Sequence, residues 1–95
     1  MDINNKYLKR KIIIKNCDNI ISKFMGLMFR KNINYGLKIR CNGIHTFFMK
    51  ENIDVILTDK NYNVLYIYKN VKPYRIIFPK KNVYYTYEFP KNSIK

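Results

Sequence analysis

From Leu37 to Phe89 the chain is a succession of short runs of β-branched and aromatic residues, most of them closed by Pro, Asn or Asp. Runs of five to seven residues are too short for helices and suit strands. They fall at 37–41, 46–50, 53–58, 64–70, 74–78 and 83–89. Asp59-Lys60-Asn61-Tyr62-Asn63 reads as a hairpin loop between two of them. Pro73 interrupts the next pair, and Pro79 with Asn82 marks the last turn. Ahead of this series, residues 7–16 read as a further strand and 32–36 as a turn-rich connection. A single amphipathic pattern interrupts them, with Asp18 as N-cap and Ile21, Phe24, Met25 and Met28 at i, i+3, i+4 and i+7. The expectation is a mainly β chain, at the margin of α+β. It is a compact six- to seven-stranded β-sandwich or partly open barrel with one short helix near residues 19–28.

A chain of 95 residues supplies one modest core, so residues 1–95 are expected to form a single domain with a polar tail at 1–5. No apolar run approaches the ~20 residues of a membrane span, and Ile12-Ile13-Ile14 is far shorter than the ~7 to 15 residues of a signal-peptide core. A cytoplasmic location is the resulting expectation. Cys17 and Cys41 are then expected as free thiols.

Charge is the second constraint. Nineteen basic residues face six acidic ones, a net charge of +13. Such an imbalance steers anionic partners through long-range Coulomb attraction. Abundant Lys, Asn, Ile and Tyr together point to AT-rich codons, yet that bias does not account for the scarcity of Asp and Glu. Tyr62, Tyr66, Tyr68, Tyr74, Tyr84, Tyr85 and Tyr87 crowd the last third of the chain among lysines. Rings that stack bases beside cations that follow phosphates are the equipment of a single-strand binder. The polyanion-binding set is Tyr66, Tyr68, Lys69, Lys72, Lys80 and Lys81. The bland alternative is that tyrosine is an ordinary strand former and that outward lysines protect sheet edges.

The densest chemistry lies in Cys41 to Asp59, CNGIHTFFMKENIDVILTD, which holds a thiol, the only histidine, a hydroxyl, a thioether and acids. In a cysteine-dependent enzyme His45 would take the proton of Cys41 while Asp54 fixed the imidazole tautomer. The same residues read more simply as a buried thiol and a histidine that orders a loop. There is no Cys-x-x-Cys and only one histidine, so neither a metal nor a cofactor is expected. The leading expectation is a binding module, not an enzyme. Its protein or small-ligand partner docks around Arg30, Cys41, His45, Thr46, Met49, Asp54 and Arg75. The guanidinium groups could pair with Asp54 or hold an anionic group.

In order along the chain, Gly26-Leu27-Met28-Phe29-Arg30, Cys41, Ile44-His45-Thr46-Phe47-Phe48-Met49, Ile53-Asp54-Val55, Pro73-Tyr74-Arg75 and Glu88-Phe89-Pro90 form a recognisable series. With it the chain resembles domain-of-unknown-function family 192 from about residue 12 to residue 90. It departs from that family's usual pattern at Asn52, commonly Pro, at Tyr74, commonly Trp, and at Lys91, commonly Gly. The resemblance implies a small β-rich fold with one short helix and no established activity, substrate or cofactor.

Overall fold

The computed structural model describes residues 5–17, 33–47 and 49–95. Seven strands form two sheets. They are β1 (Ile13–Cys17), β2 (Tyr35–Ile39), β3 (Ile44–His45), β4 (Ile53–Thr58), β5 (Val64–Val71), β6 (Ile76–Ile77) and β7 (Tyr85–Pro90). The larger sheet has the order β1-β2-β7-β4-β5, and β3 pairs with β6 in a small second sheet. β1 runs parallel to β2, and every other pairing is antiparallel. This is the mainly β, two-sheet architecture the sequence predicts, with the larger sheet open rather than closed into a barrel. The helix expected near residues 19–28 lies outside the described residues. Among the described residues no helix is long and apolar enough to cross a membrane.

β4 organises the core because it is buried on both faces along its whole length. Alternation sends Ile53, Val55 and Leu57 to one face, where they join Leu37, Ile39, Cys17, Met49 and Val83. Ile77 of β6 closes this cluster, and Ile44 of β3 packs on its edge, so the small sheet lies over this face. Ile56 points to the other face and meets Tyr87 and Phe89 of β7. That face is covered by Leu8 and Ile12 near one end of the chain and Ile94 near the other. The two ends are tied by the Leu8–Ile94 bridge and by the Lys9 N–H donating to Ser93 O at 2.7 Å.

Local departures from the expected elements have physical causes. Gly36 sits within β2, not in a turn, because a Cβ there would come within 2.8 Å of the Phe89 ring. Glycine is what lets β2 lie flat under that aromatic. Among the described residues of 46–50 no strand forms. Pairing ends at His45, and the Met49 N–H donates back to Thr46 O at 3.3 Å. The strand expected over 7–16 starts only at Ile13, after a 3-10 turn at Asn5–Tyr7. The hairpin loop 59–63 joins β4 and β5 as expected. Asn70, at φ 61°, lies where the β4–β5 register shifts between Ile53 and Val55.

Candidate functional site

The larger sheet divides the expected cluster. Cys41 and Met49 pack on the face that carries the small sheet. Asp54 is opposite Phe89 in the β4–β7 ladder, so its side chain emerges on the other face. There its carboxylate is 2% exposed and accepts three backbone N–H groups, from Asn70 to Oδ1 and from Ser93 and Ile94 to Oδ2, each at 2.9 Å. Charge-assisted acceptance of this kind is strong. Asp54 thus fastens the β5 bulge and the C-terminal turn to the central strand. Arg30 lies outside the described residues.

Thr46 is the hub on the side of the small sheet, directly after β3. Its hydroxyl donates to Lys72 O at 2.7 Å and accepts the Arg75 N–H at 2.8 Å. Its own N–H donates to Arg75 O and its C=O accepts the Tyr74 N–H. One buried residue therefore holds the whole 72–75 turn against the end of β3. Arg75 takes part through its backbone, and its side chain is exposed. Pro73 followed by Tyr74 at φ 63° is the pattern of a type II turn, whose second central residue is ordinarily glycine. Cys41 is half-buried, and its Sγ donates to Gly43 O at 3.5 Å. The Asn42 amide brackets the Lys80 backbone, donating to its O at 2.6 Å and accepting its N–H at 2.8 Å. Gly43, at φ 92°, is required because a Cβ would sit 2.8 Å from Ile77 O. No group of three His, Cys, Asp or Glu able to hold a metal occurs among the described residues.

Beside this hub several aromatic and aliphatic side chains are exposed. The His45 Nδ1 accepts the Phe47 N–H at 3.3 Å, and their rings lie 5.0 Å apart. Phe47 in turn lies 6.2 Å from the Tyr74 ring. His45 is opposite Ile76 in the β3–β6 ladder, and Phe78 follows two residues on. Tyr74, Ile76 and Phe78 are 59, 50 and 67% exposed. They stand at alternate positions through β6, with Ile76 opposite His45 in the ladder, and form an apolar platform. Phe47, Ile76 and Phe78 were missing from the expected site. Strand periodicity leaves the face of a two-residue strand undecided, so only the pairing of β3 with β6 reveals them.

Tyr66, Tyr68 and Lys69 of the polyanion set lie along β5. Tyr66 and Tyr68 share a face of β5, as alternation predicts, with Tyr68 half-buried against the core and Lys80 Nζ 5.5 Å above the Tyr66 ring. Lys69 Nζ donates to Lys95 O at 3.1 Å. Lys72 and Lys81 are exposed. A denser basic–aromatic group lies elsewhere. Tyr62 and Tyr85 stack at 4.9 Å with planes 9° apart. Lys38 Nζ lies 4.5 and 4.6 Å from their centroids and donates to the Tyr62 hydroxyl at 2.9 Å. Tyr84 meets Tyr85 edge-on at 4.8 Å, with the Arg40 guanidinium over its ring. Hydrogen bonding between the Tyr62 and Tyr85 hydroxyls, with some desolvation, raises the Tyr85 pKa.

The model of a family described as uncharacterized ACR, DUF192, matches residues 3–95. A UPF0127 protein of Pyrococcus horikoshii is 40% identical over 86% of this chain and 78% of its own length. One from Pyrococcus furiosus is 36% identical over 90% of this chain and 78% of its own. One from Thermococcus kodakarensis is 37% identical over 86% of this chain, which spans only 56% of that relative. A crystal structure of a protein of unknown function from Novosphingobium aromaticivorans shares the fold. Its TM-score is 0.75 at 14% identity, covering 90% of this chain and 71% of that one.

Proposed function

The chain belongs to the DUF192 family, and from that footing we propose that it is a binding module whose β3–β6 platform docks an acidic partner protein. The observation that carries this reading is the exposure of Tyr74, Ile76 and Phe78 at alternate positions, beside the His45–Phe47 ring pair. Clustered apolar side chains on a monomer's surface mark interaction sites more often than scattered ones do. Aromatic anchors on a rigid base are what interface hot spots use. Thr46 supplies that rigidity by fixing the turn that presents Tyr74. The exposed Lys72 and Arg75 beside the platform, within a chain of net charge +13, favour a partner with acidic residues around apolar ones.

In this reading Cys41 and Asp54 support the module and contact no ligand. A random linear-peptide display library panned against the protein tests it. The expected yield is peptides with apolar residues flanked by Asp or Glu, whose affinity for an Ile76→Ser/Phe78→Ser variant falls by at least about tenfold, the ~1.4 kcal/mol of a lost anchor. Enriched peptides that bind the variant equally well would place the docking surface elsewhere.

A further inference from the structure

A second surface, outside the β3–β6 platform, is organised around stacked tyrosines. Tyr84, Tyr85 and Tyr62 touch in sequence, edge-on and then face to face, and form one aromatic rib. A cleft of about 400 Å³ lies on one side, walled by Tyr84, Lys60, Asn61 and Asn82. Another of about 310 Å³ lies against the rib's other end, walled by Tyr62, Tyr7, Lys6 and Asn63. Each cleft thus combines an aromatic wall, a lysine and a side-chain amide. Lys38 and Arg40 lie on the rib itself. The one acidic wall residue, Asp59, has both carboxylate oxygens accepting hydrogen bonds from Asn61 and Asn63, which fix the carboxylate within its own turn.

The backbone adds a separate argument. Tyr62 sits at φ 66°, a region that glycine and asparagine enter readily and a bulky residue does not. The 59–63 turn holds it there, with the Tyr62 N–H on Asp59 O and the Asp59 N–H on Asn63 O. Strain maintained at a side chain that faces a cleft points to a use for that side chain. Rings flanked by cations, with no dominant acidic group, match the equipment that tracks phosphates and stacks bases of any sequence.

We infer that the Tyr62–Tyr85–Tyr84 rib and its two clefts bind single-stranded nucleic acid, with bases against Tyr62 and Tyr84 and phosphates on Lys6, Lys38, Arg40 and Lys60. Sequence preference is weak, because π-faces and cations read no base edge. Duplexes, whose bases are already stacked, bind less well.

Fluorescence anisotropy of labelled oligothymidylate and oligouridylate of about a dozen nucleotides, within the ~4 to 16 of single-strand sites, tests this. A length-matched duplex and a heparin fragment serve as competitors. Affinity is expected to fall with salt with a log–log slope near −3, from about −0.7 per neutralised phosphate. Lys6→Gln/Lys60→Gln, both at exposed positions, reduces that slope by between one and two. Tyr84→Ala weakens binding roughly five- to a hundredfold. The chain has no tryptophan, so tyrosine near-ultraviolet circular dichroism checks that each variant is folded. Unequal binding of the two oligomers tells an RNA ligand from a DNA one. Heparin or duplex competing as well as the single strands, or a slope unmoved in the lysine variant, would overturn the proposal. Ile76→Ser/Phe78→Ser leaves this binding intact, so the two surfaces fail independently.

Discussion

Two turns of this molecule place a tyrosine where glycine or asparagine is the usual occupant, and they hold it by opposite means. In the 59–63 turn the pin is local. Asp59 Oδ1 accepts the N–H groups of Asn61 and Asn63 at 2.8 and 3.0 Å, and the Tyr62 ring folds back onto Tyr85 and Lys38. In the 72–75 turn the pin is remote. Thr46 reaches in from the end of β3, and the Tyr74 ring remains 59% exposed. A positive φ costs a residue with a Cβ about 1–2 kcal/mol. At Tyr62, stacking and cation–π contact, each about 0.5 kcal/mol or more, offset much of that within the chain. At Tyr74 exposure leaves less within the chain to offset it. The contrast separates a surface already assembled from a platform that projects its rings outward.

The sharpest way to break the comparison is to remove each pin. Thr46→Val leaves Arg75 N–H and Lys72 O without their hydroxyl partner inside a buried site. It should destabilise the fold by about 2–3 kcal/mol, the cost of orphaned buried groups. Asp59→Ala exposes its donors to water and should cost clearly less. Urea unfolding midpoints read both, and equal losses would mean the remote pin is no different from the local one. The next test replaces the tyrosines. Tyr74→Gly relieves the backbone and removes an exposed ring, so stability should rise by up to about 1 kcal/mol while peptide binding to the platform weakens. Tyr62→Gly relieves the same strain but dismantles a stack, and should lower stability by about 1 kcal/mol. Shifts of the same sign in thermal unfolding would erase the distinction.

What could be read from the sequence follows the range of the interactions involved. The β4–β5 hairpin is legible because its alternation and its turn residues are neighbours in the chain. Tyr66 and Tyr68 share a face for the same reason. Asp54 was legible as a residue of consequence but not in its role, because two of its donors, Ser93 and Ile94, lie about forty residues away. Lys38 joined no expected site, since only the pairing of β2 with β7 brings it beside Tyr85. Thr46 is a buried anchor. A Thr next to the only histidine gives no hint that the 72–75 turn will close over it.

The smallest expected effect is a pH dependence that belongs to one turn alone. Hydrogen bonds from the Asn63 backbone and side chain, then Asn61, hold the Asp59 pKa below its ordinary value, most strongly through the Asn63 N–H. A carboxylate depressed in the folded state stabilises above its unfolded pKa, and that contribution disappears as pH falls through the folded value. The 59–63 turn should therefore loosen as the solution is acidified below the usual carboxylate range. The 72–75 turn, pinned by a hydroxyl that does not titrate there, should stay as it is. Amide chemical shifts of Asn61 and Asn63, followed against those of Tyr74 and Arg75 during an acid titration, read the two turns side by side. Loosening of both together would mean that the acid response is global unfolding and that Asp59 is not a local pin. Loosening of 59–63 first, with the Tyr62–Tyr85 stack opening alongside it, would show that the carboxylate of one exposed turn sets the geometry of the aromatic rib.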